Sequence, residues 1–318
     1  MKVLVTGADG FVGSWLVRRL LADGREVYGA DRPAQGAPGD GRMTQEERGA
    51  VHWLPLELAD GESVRRVAVQ PYDAVVHLAA VSSGMEAAGD PGRAWDVNAA
   101  GTARLAHALA DSTGSAGTKP LVLLVSTGEV YGRGDRTPRR ETDPVAPCSP
   151  YAASKLGAEV AALEVWRRTG LRVVVARAFA HTGPGQDARF VVPAFAQRLK
   201  VAKKAAAPVV KVGDIEPVRD FLHVQDVVDA YARLLVRGQP GETYNVASGR
   251  GVSLEQVLRR LGELIGVRAI PEVDPDLMRP ADIPHLVGDA SKLRAATGWA
   301  PRRSLDETLK DVVDAQAD

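Results

Sequence analysis

The chain has one cysteine, Cys148, in 318 residues. No disulfide can close within it, and a thiolate-based metal site is not expected. Cys148 lies in a proline-rich turn and reads as a bystander. Net charge is also lacking, since 40 basic residues balance 40 acidic ones. Nucleic-acid binders are usually basic, so no nucleic-acid partner is expected. No apolar run approaches the ~20 residues that a membrane span needs, so no membrane partner is expected either. Met1 runs straight into the strand-like "KVLVTG". That start does not read as a signal peptide, and the expected location is the cytoplasm.

What is present is enough apolar residue, 45% of the chain, for one large domain and a smaller one. Strand-like and helix-like segments alternate: "KVLVTG", the helical "SWLVRRLLADG", then "EVYGAD", "VHWLPLEL", "DAVVHLAA", a helix near 94–111, "PLVLLVST", a helix from about Tyr151, and "LRVVVARAF". The strands are continuous apolar runs, as expected when both sheet faces are covered. The pattern predicts an α/β fold with a doubly wound parallel sheet. Residues 32–49, polar and rich in glycine and proline, read as an exposed loop.

After about Phe179 the texture changes, and a smaller α/β lobe is expected. "SLEQVLRRLGELIG" carries a capping box, Ser253 with Gln256, and a glycine stop at Gly266. The expected division gives residues 1–178 and about 218–247 to a dinucleotide-binding domain. Residues 179–217 and 248–318 then form the second domain.

"VTGADGFVG" puts Gly7, Gly10 and Gly13 at the first strand-to-helix junction, with Phe11 and Val12 between the last two. Backbone can approach a pyrophosphate closely where Cβ is absent, and a helix N-terminus offers it free N–H groups. Asp31 ends the next strand. A carboxylate there can hydrogen-bond an adenosine ribose and repel a 2′-phosphate. Arg32 beside it could instead hold that phosphate. The cofactor is therefore expected to be NAD(H) or NADP(H), leaning to NAD(H). Glu57 and Leu58, at the end of the third strand, are candidates for the adenine edge.

"LVLLVSTGEVYG" ends an apolar strand on Ser126 and Thr127, followed by Glu129. Ligands of an open parallel sheet bind at such strand ends. Tyr151 and Lys155, four apart, share one helix face. An ammonium near a phenol favours phenolate and lowers its pKa. The phenol can then exchange a proton with a sugar or alcohol oxygen while hydride moves at the adjoining carbon. Ser126 is expected to hydrogen-bond the same oxygen.

With these motifs in view, the chain resembles the extended short-chain dehydrogenase/reductases over nearly its whole length. The glycine pattern, "HLAA", "STGEVYG" and "YAASK" carry the likeness. The resemblance implies a Rossmann-type fold, nucleotide-sugar substrates, and a catalytic set of Ser126 or Thr127, Tyr151 and Lys155. It implies that Lys155 also holds the nicotinamide ribose, that Leu78, Ala79 and Ala80 line the cofactor, and that Asn98 supports the site. It also implies a homodimer paired through helices 94–111 and 151–169.

The reaction is left open between reduction of a 4-keto sugar, 4,6-dehydration and 4-epimerisation. Sugar-nucleotide dehydratases of the dTDP type carry an Asp-Glu pair where this chain has Gly128 and Glu129. Glu129 alone remains compatible with the GDP-mannose type, as the base. "FAHTGPGQDARFVVPAF", "VVKVGDIEPVRDFLHVQDVVDAY" and "RPADIPHLVGDASKLRAATGW" resemble the GDP-4-keto-6-deoxy-D-mannose reductases, which favours a GDP-linked sugar and GDP-D-rhamnose as product. Ala180, before His181, stands where that group usually has asparagine. Arg219 and Arg279 are expected to clamp the diphosphate, because a guanidinium fork suits phosphate oxygens. Val191 and Lys211 are candidates for the base pocket. A non-catalytic redox-sensing role is the alternative of another class.

Overall fold

The computed structural model describes residues 1–32, 42–114, 117–278 and 283–316. Seven strands form the central sheet: β1 (Lys2–Thr6), β2 (Glu26–Asp31), β3 (Val51–Pro55), β4 (Ala74–His77), β5 (Leu121–Thr127), β6 (Arg172–Ala178) and an edge strand, Thr243–Val246. All pairings are parallel, and the order runs from the edge strand through β6, β5, β4, β1 and β2 to β3. The order reverses between β4 and β1. The loops leaving those two strands therefore diverge and open a crevice at their carboxyl ends.

The helices are α1 (Phe11–Ala22), α2 (Gln45–Gly49), α3 (Gly61–Ala68), α4 (Gly84–Gly89), α5 (Pro91–Trp95), α6 (Gly101–Ala110), α7 (Pro150–Thr169), α8 (Val191–Lys204), α9 (Val224–Arg237), α10 (Leu254–Ile265), α11 (Ser291–Thr297) and α12 (Leu305–Ala315). Alternate strand residues serve two cores, as the two-residue period requires. Val3, Val5, Val174 and Ala176 pack with Leu16 and Leu20 of α1 and Val227 and Leu234 of α9. Leu4, Val122, Leu124, Val173 and Val175 pack with Leu105 of α6 and Ala158 and Ala162 of α7.

A third core joins α8, α10 and α12 through Phe195, Leu199, Leu258, Leu261 and Leu309. The strand Val218–Asp220 pairs with Gly251–Ser253 and His285–Leu286, while Leu293 and Trp299 bury in the central-sheet core. The chain therefore crosses between the two packing regions repeatedly. Among the described residues no helix is long and apolar enough to cross a membrane.

Two local expectations change. Residues 32–49 are not wholly a loop: α2 forms there, closed by a capping box between Thr44 and Glu47, and Met43 is buried. Residues 33–41 lie outside the described ones. The helix near 94–111 is α5, a π-helical turn over Asp96–Ala100, and α6. The extra residue in such a turn re-aims its side chains, and here Asn98 is buried. Elsewhere, α10 has its Ser253–Gln256 capping box and ends at Gly266 with φ +81°.

Candidate active site

The glycine turn is built for close approach. Gly7 has φ +72°, and a Cβ there would lie 2.9 Å from the Ala79 nitrogen. A Cβ on Gly13 would fall 2.0 Å from the Gly7 carbonyl oxygen, so only glycine fits. Gly10 is the N-cap of α1 and no side chain caps that helix start. Phe11 and Val12 form its first turn, whose amides and dipole suit an anion. Thr6 Oγ1 accepts the Ala79 N–H at 3.1 Å and the Thr6 carbonyl accepts that of Leu78 at 3.2 Å. This brings the segment Leu78–Ala80 beside the turn. The cradle thus fits a dinucleotide pyrophosphate.

Asp31 sits at the end of β2, where its carboxylate accepts the N–H groups of Asp9 at 3.0 Å and Arg32 at 2.8 Å. Two further guanidiniums gather here that the sequence did not disclose. Arg48 pairs with Asp9 and lies over the Trp53 ring at 4.8 Å. Arg42 donates to the carbonyls of Asp9 at 3.4 Å and Gly185 at 2.9 Å. Glu57 bends back to accept the Ala59 N–H at 3.2 Å. The Leu58 side chain is not presented to a ligand: it is core, packed under Gly101, whose Cβ would lie 2.8 Å from it.

At the end of β5 the two hydroxyls part. Thr127 is hydrogen-bonded to the Tyr151 side chain. Ser126 instead donates to Glu159 Oε1 at 2.5 Å in a buried network. Neighbouring strand residues face opposite ways, so of the two expected hydroxyls the structure sets Thr127 against Tyr151 and turns Ser126 into the buried network. Glu159 also takes Arg177 Nη2 at 2.8 Å and Nε at 3.1 Å. Neither Glu159 nor Arg177 was singled out in the sequence.

Ser149 caps α7 by accepting the Ala152 N–H at 3.1 Å, and Pro150 opens the helix. Tyr151 therefore sits in the first turn and Lys155 in the second. Asn98 Nδ2 donates to Ser154 Oγ at 2.9 Å, and its Oδ1 accepts the Val81 N–H at 2.8 Å. Ser154 in turn donates to the Tyr151 carbonyl at 2.8 Å. Asn98 thus steadies the helix start beneath Tyr151.

The electrostatics differ from expectation. Burial pushes the Tyr151 phenol well above its ordinary pKa, the Glu129 carboxylate pushes it further, and the Thr127 hydrogen bond pulls back. The phenol is held neutral, so the lowered value expected from Lys155 is not what this site shows. Lys155 is itself drawn down to about 8 by burial, against the attraction of Glu159. His77, between Thr6 Oγ1 at 2.7 Å and Thr102 Oγ1 at 3.0 Å, is pushed down to about 3 by burial and then by the Lys155 charge.

On the facing side, Ala180 accepts the Leu222 N–H at 2.9 Å through its carbonyl. The His181 ring stacks on Phe11 at 6.3 Å and its Nδ1 meets the Phe179 carbonyl at 2.9 Å. Burial lowers its pKa, leaving it neutral. Trp15 Nε1 donates to the Pro184 carbonyl at 3.1 Å. The "HTGPGQ" loop is thereby fastened to α1. Arg219 is half-buried and donates to the carbonyls of Val218 at 2.9 Å and Ile283 at 2.6 Å. Its neighbour Asp220 accepts from Ser248, Gly249 and Gly288, fixing the strand. Val191 opens α8 beside the third core. Lys211 is exposed and pairs with Asp274 at 3.3 Å. Arg279 lies outside the described residues.

The sequence model of the GDP-mannose 4,6 dehydratase family matches residues 4–312. The chain belongs to that family. It is an enzyme of the extended short-chain dehydrogenase/reductase type. It is 35% identical to GDP-6-deoxy-D-mannose reductase of Pseudomonas aeruginosa over 315 residues, 98% of this chain and 96% of the relative. It is similar to the structure of RMD from Pseudomonas aeruginosa complexed with NADPH, at 33% identity and a TM-score of 0.81, covering 99% of this chain and 98% of that one. It is similar also to UDP-glucose 4-epimerase of Thermus thermophilus in complex with NAD, at 33% identity and a TM-score of 0.85, with the same coverage.

Proposed function

We propose that the chain is an NAD(P)H-dependent reductase of a nucleotide-linked 4-keto-6-deoxy sugar, converting GDP-4-dehydro-6-deoxy-D-mannose to GDP-D-rhamnose. The observation that carries this reading is the neutral Tyr151 phenol hydrogen-bonded to Thr127. Reduction of a carbonyl needs a proton donor at the oxygen, and a phenol held neutral is one.

Gly7, Gly10 and Gly13 would hold the pyrophosphate and Asp31 the ribose. A nicotinamide dinucleotide supplies the hydride when bound there. Tyr151 gives its proton to the C4 oxygen as that oxygen becomes a hydroxyl, and Thr127 orients the same oxygen. The Lys155 ammonium, one turn along α7, stabilises the phenolate left behind, which solvent reprotonates. Arg219 would meet the substrate diphosphate. Asp31 favours NAD(H), whereas Arg32, Arg42 and Arg48 nearby supply cations suited to a 2′-phosphate, so both cofactors belong in the assay.

Dehydration of the dTDP type is disfavoured by Gly128. A Cβ there would lie 3.0 Å from the Phe179 ring, leaving no room for an aspartate unless that ring moves. The GDP-mannose type remains the second reading because the Glu129 charge acts on Tyr151. A 4-epimerase is the third, favoured by the likeness to the epimerase fold. A panel of GDP-, dTDP-, UDP- and CDP-linked sugars with NADH and NADPH separates them. The reductase consumes one reduced cofactor per product, whereas an epimerase or dehydratase leaves its absorbance unchanged. Binding without any turnover would point to a redox sensor.

An apolar groove of about 780 Å³ runs between Trp95, Ala99 and Ala103 on one side and Leu156, Val160 and Ala161 of α7 on the other. Trp95 and Val160 are 46% and 62% exposed. A second copy of the chain, pairing through these helices, is its proposed occupant. Val160→Lys should yield monomers in sedimentation, and a variant that stays dimeric would refute this face.

A further inference from the structure

Tyr151, Lys155 and Glu159 follow one another at four-residue spacing along α7 and so share a stripe of that helix. The first two belong to the reaction proposed above. The third is 2% exposed, and a buried carboxylate is costly unless it is paired and hydrogen-bonded. Glu159 is both. Ser126 donates to Oε1 at 2.5 Å; Arg177 Nε reaches Oε1 at 3.1 Å and Oε2 at 3.3 Å, and Nη2 reaches Oε2 at 2.8 Å.

These donors come from a fixed frame. Ser126 and Arg177 are directly opposed in the register of β5 and β6. The Arg177 guanidinium also lies over the Tyr131 ring, 4.9 Å from its centre. Two adjacent strands thus hold the carboxylate in one orientation beneath the helix that carries Lys155.

We propose that Glu159 is a positioning residue for the reaction: seated on Ser126 and Arg177, its carboxylate is a fixed negative charge one helical turn from Lys155 that keeps that ammonium charged, one turn beyond the catalytic tyrosine. The proposal rests on the reading of Tyr151 and Lys155 given above.

The charges around Lys155 agree with it. Burial alone draws this ammonium toward neutrality, and Glu159 acts against that. His77 on β4 faces Lys155 but is neutral. Tyr151 on the same helix is a neutral phenol, and Glu129, after β5, acts on that phenol. Arg177 on β6 is a permanent cation spent on Glu159. Among the described residues, Glu159 is the carboxylate that acts on Lys155. A pair that merely tied α7 to the sheet would affect folding and leave the titration of Lys155 alone.

The test compares wild type, Glu159→Gln and Glu159→Asp in two readouts against pH: kcat/KM, and NADH and NADPH affinity by fluorescence titration. In Glu159→Gln the alkaline limb of kcat/KM should move down by about one pH unit, the scale of a lost neighbouring charge. Cofactor affinity at about pH 8 should fall several-fold, up to roughly tenfold, while at about pH 6 it stays near wild type. Glu159→Asp keeps the charge and should restore the limb. In a Lys155→Met background, Glu159→Gln should add no pH-dependent change in cofactor affinity. If Glu159→Gln does not fold, Glu159→Gln with Arg177→Met removes both charges together, which proteins often tolerate, and a shift in the same direction but smaller is expected. An unmoved limb in a folded variant, or a loss equal at every pH, overturns the proposal. Tyr151→Phe is run alongside. If it stays active, the underlying reading fails; if it is inactive while the limb is unmoved, only the role of Glu159 fails.

Discussion

Ser126 and Thr127 are chain neighbours at the end of β5, yet one donates into a buried carboxylate and the other is hydrogen-bonded to Tyr151. The strand ends on two hydroxyls that meet different points of α7, Ser126 the buried Glu159 and Thr127 the Tyr151 side chain at the helix start. Thr127→Val keeps the shape and removes the hydroxyl. It should lower kcat by roughly ten- to a hundredfold, within the range of a positioned proton-transfer partner. Ser126→Ala should lower kcat less. Its main cost is stability, about 1.5–3 kcal/mol for a hydrogen bond to a charged group. Steady-state kinetics with urea unfolding on both variants decides. A larger kcat loss in Ser126→Ala would reverse the assignment.

Tyr151→Phe retains the ring in its half-buried place and removes the transferable proton. Turnover should fall by at least about a hundredfold, with cofactor affinity within a few-fold of wild type. A variant that keeps more than about a tenth of the rate would remove Tyr151 from the mechanism.

The features legible in the sequence were those confined to one element or one junction. The glycine spacing, the four-residue step from Tyr151 to Lys155, and the caps of α10 are local patterns. The alternation of strands and helices gave the sheet for the same reason. The Glu159 network was not legible, because its members stand 33 and 18 residues apart on three elements joined only by strand register. The crowding of Arg42 and Arg48 on Asp9 is equally non-local. Helix α2 did carry a signal, Thr44 followed three residues later by Glu47, but the glycines and prolines around it outweighed that pattern. The raised phenol pKa depends on burial, which spacing does not report.

Arg219→Ala tests the substrate side. A desolvated guanidinium contact to phosphate contributes roughly 1.5–3 kcal/mol, so GDP should bind ten- to a hundredfold more weakly. The affinity for NADH or NADPH should hold, since the cradle at Gly7, Gly10 and Gly13 is elsewhere. Calorimetry with GDP is the measurement. Unchanged affinity would place Arg219 outside the nucleotide-sugar site and leave its carbonyl contacts as its role.

Lys155 links the proposed chemistry to stability. Its pKa falls from 10.5 unfolded to about 8 in the fold, chiefly through burial. Between those values the unfolded chain binds more protons than the native one, so stability rises with pH across that window. Below about pH 8 both states carry the proton, and the cost of burying the ammonium is at its full value, of order 3 kcal/mol. Lys155→Met removes the charge and keeps an apolar stem. The cofactor-free variant should therefore be inactive yet more stable than wild type at pH 7, by up to about that amount. The gap should close as pH rises from about 8 to 10.5, because wild type then sheds the same proton. Urea unfolding at pH 7 and pH 10 reads both points. A variant less stable than wild type at pH 7, or a gap that widens toward pH 10, would mean that the Lys155 ammonium is stabilised by its pocket and not held there at a cost.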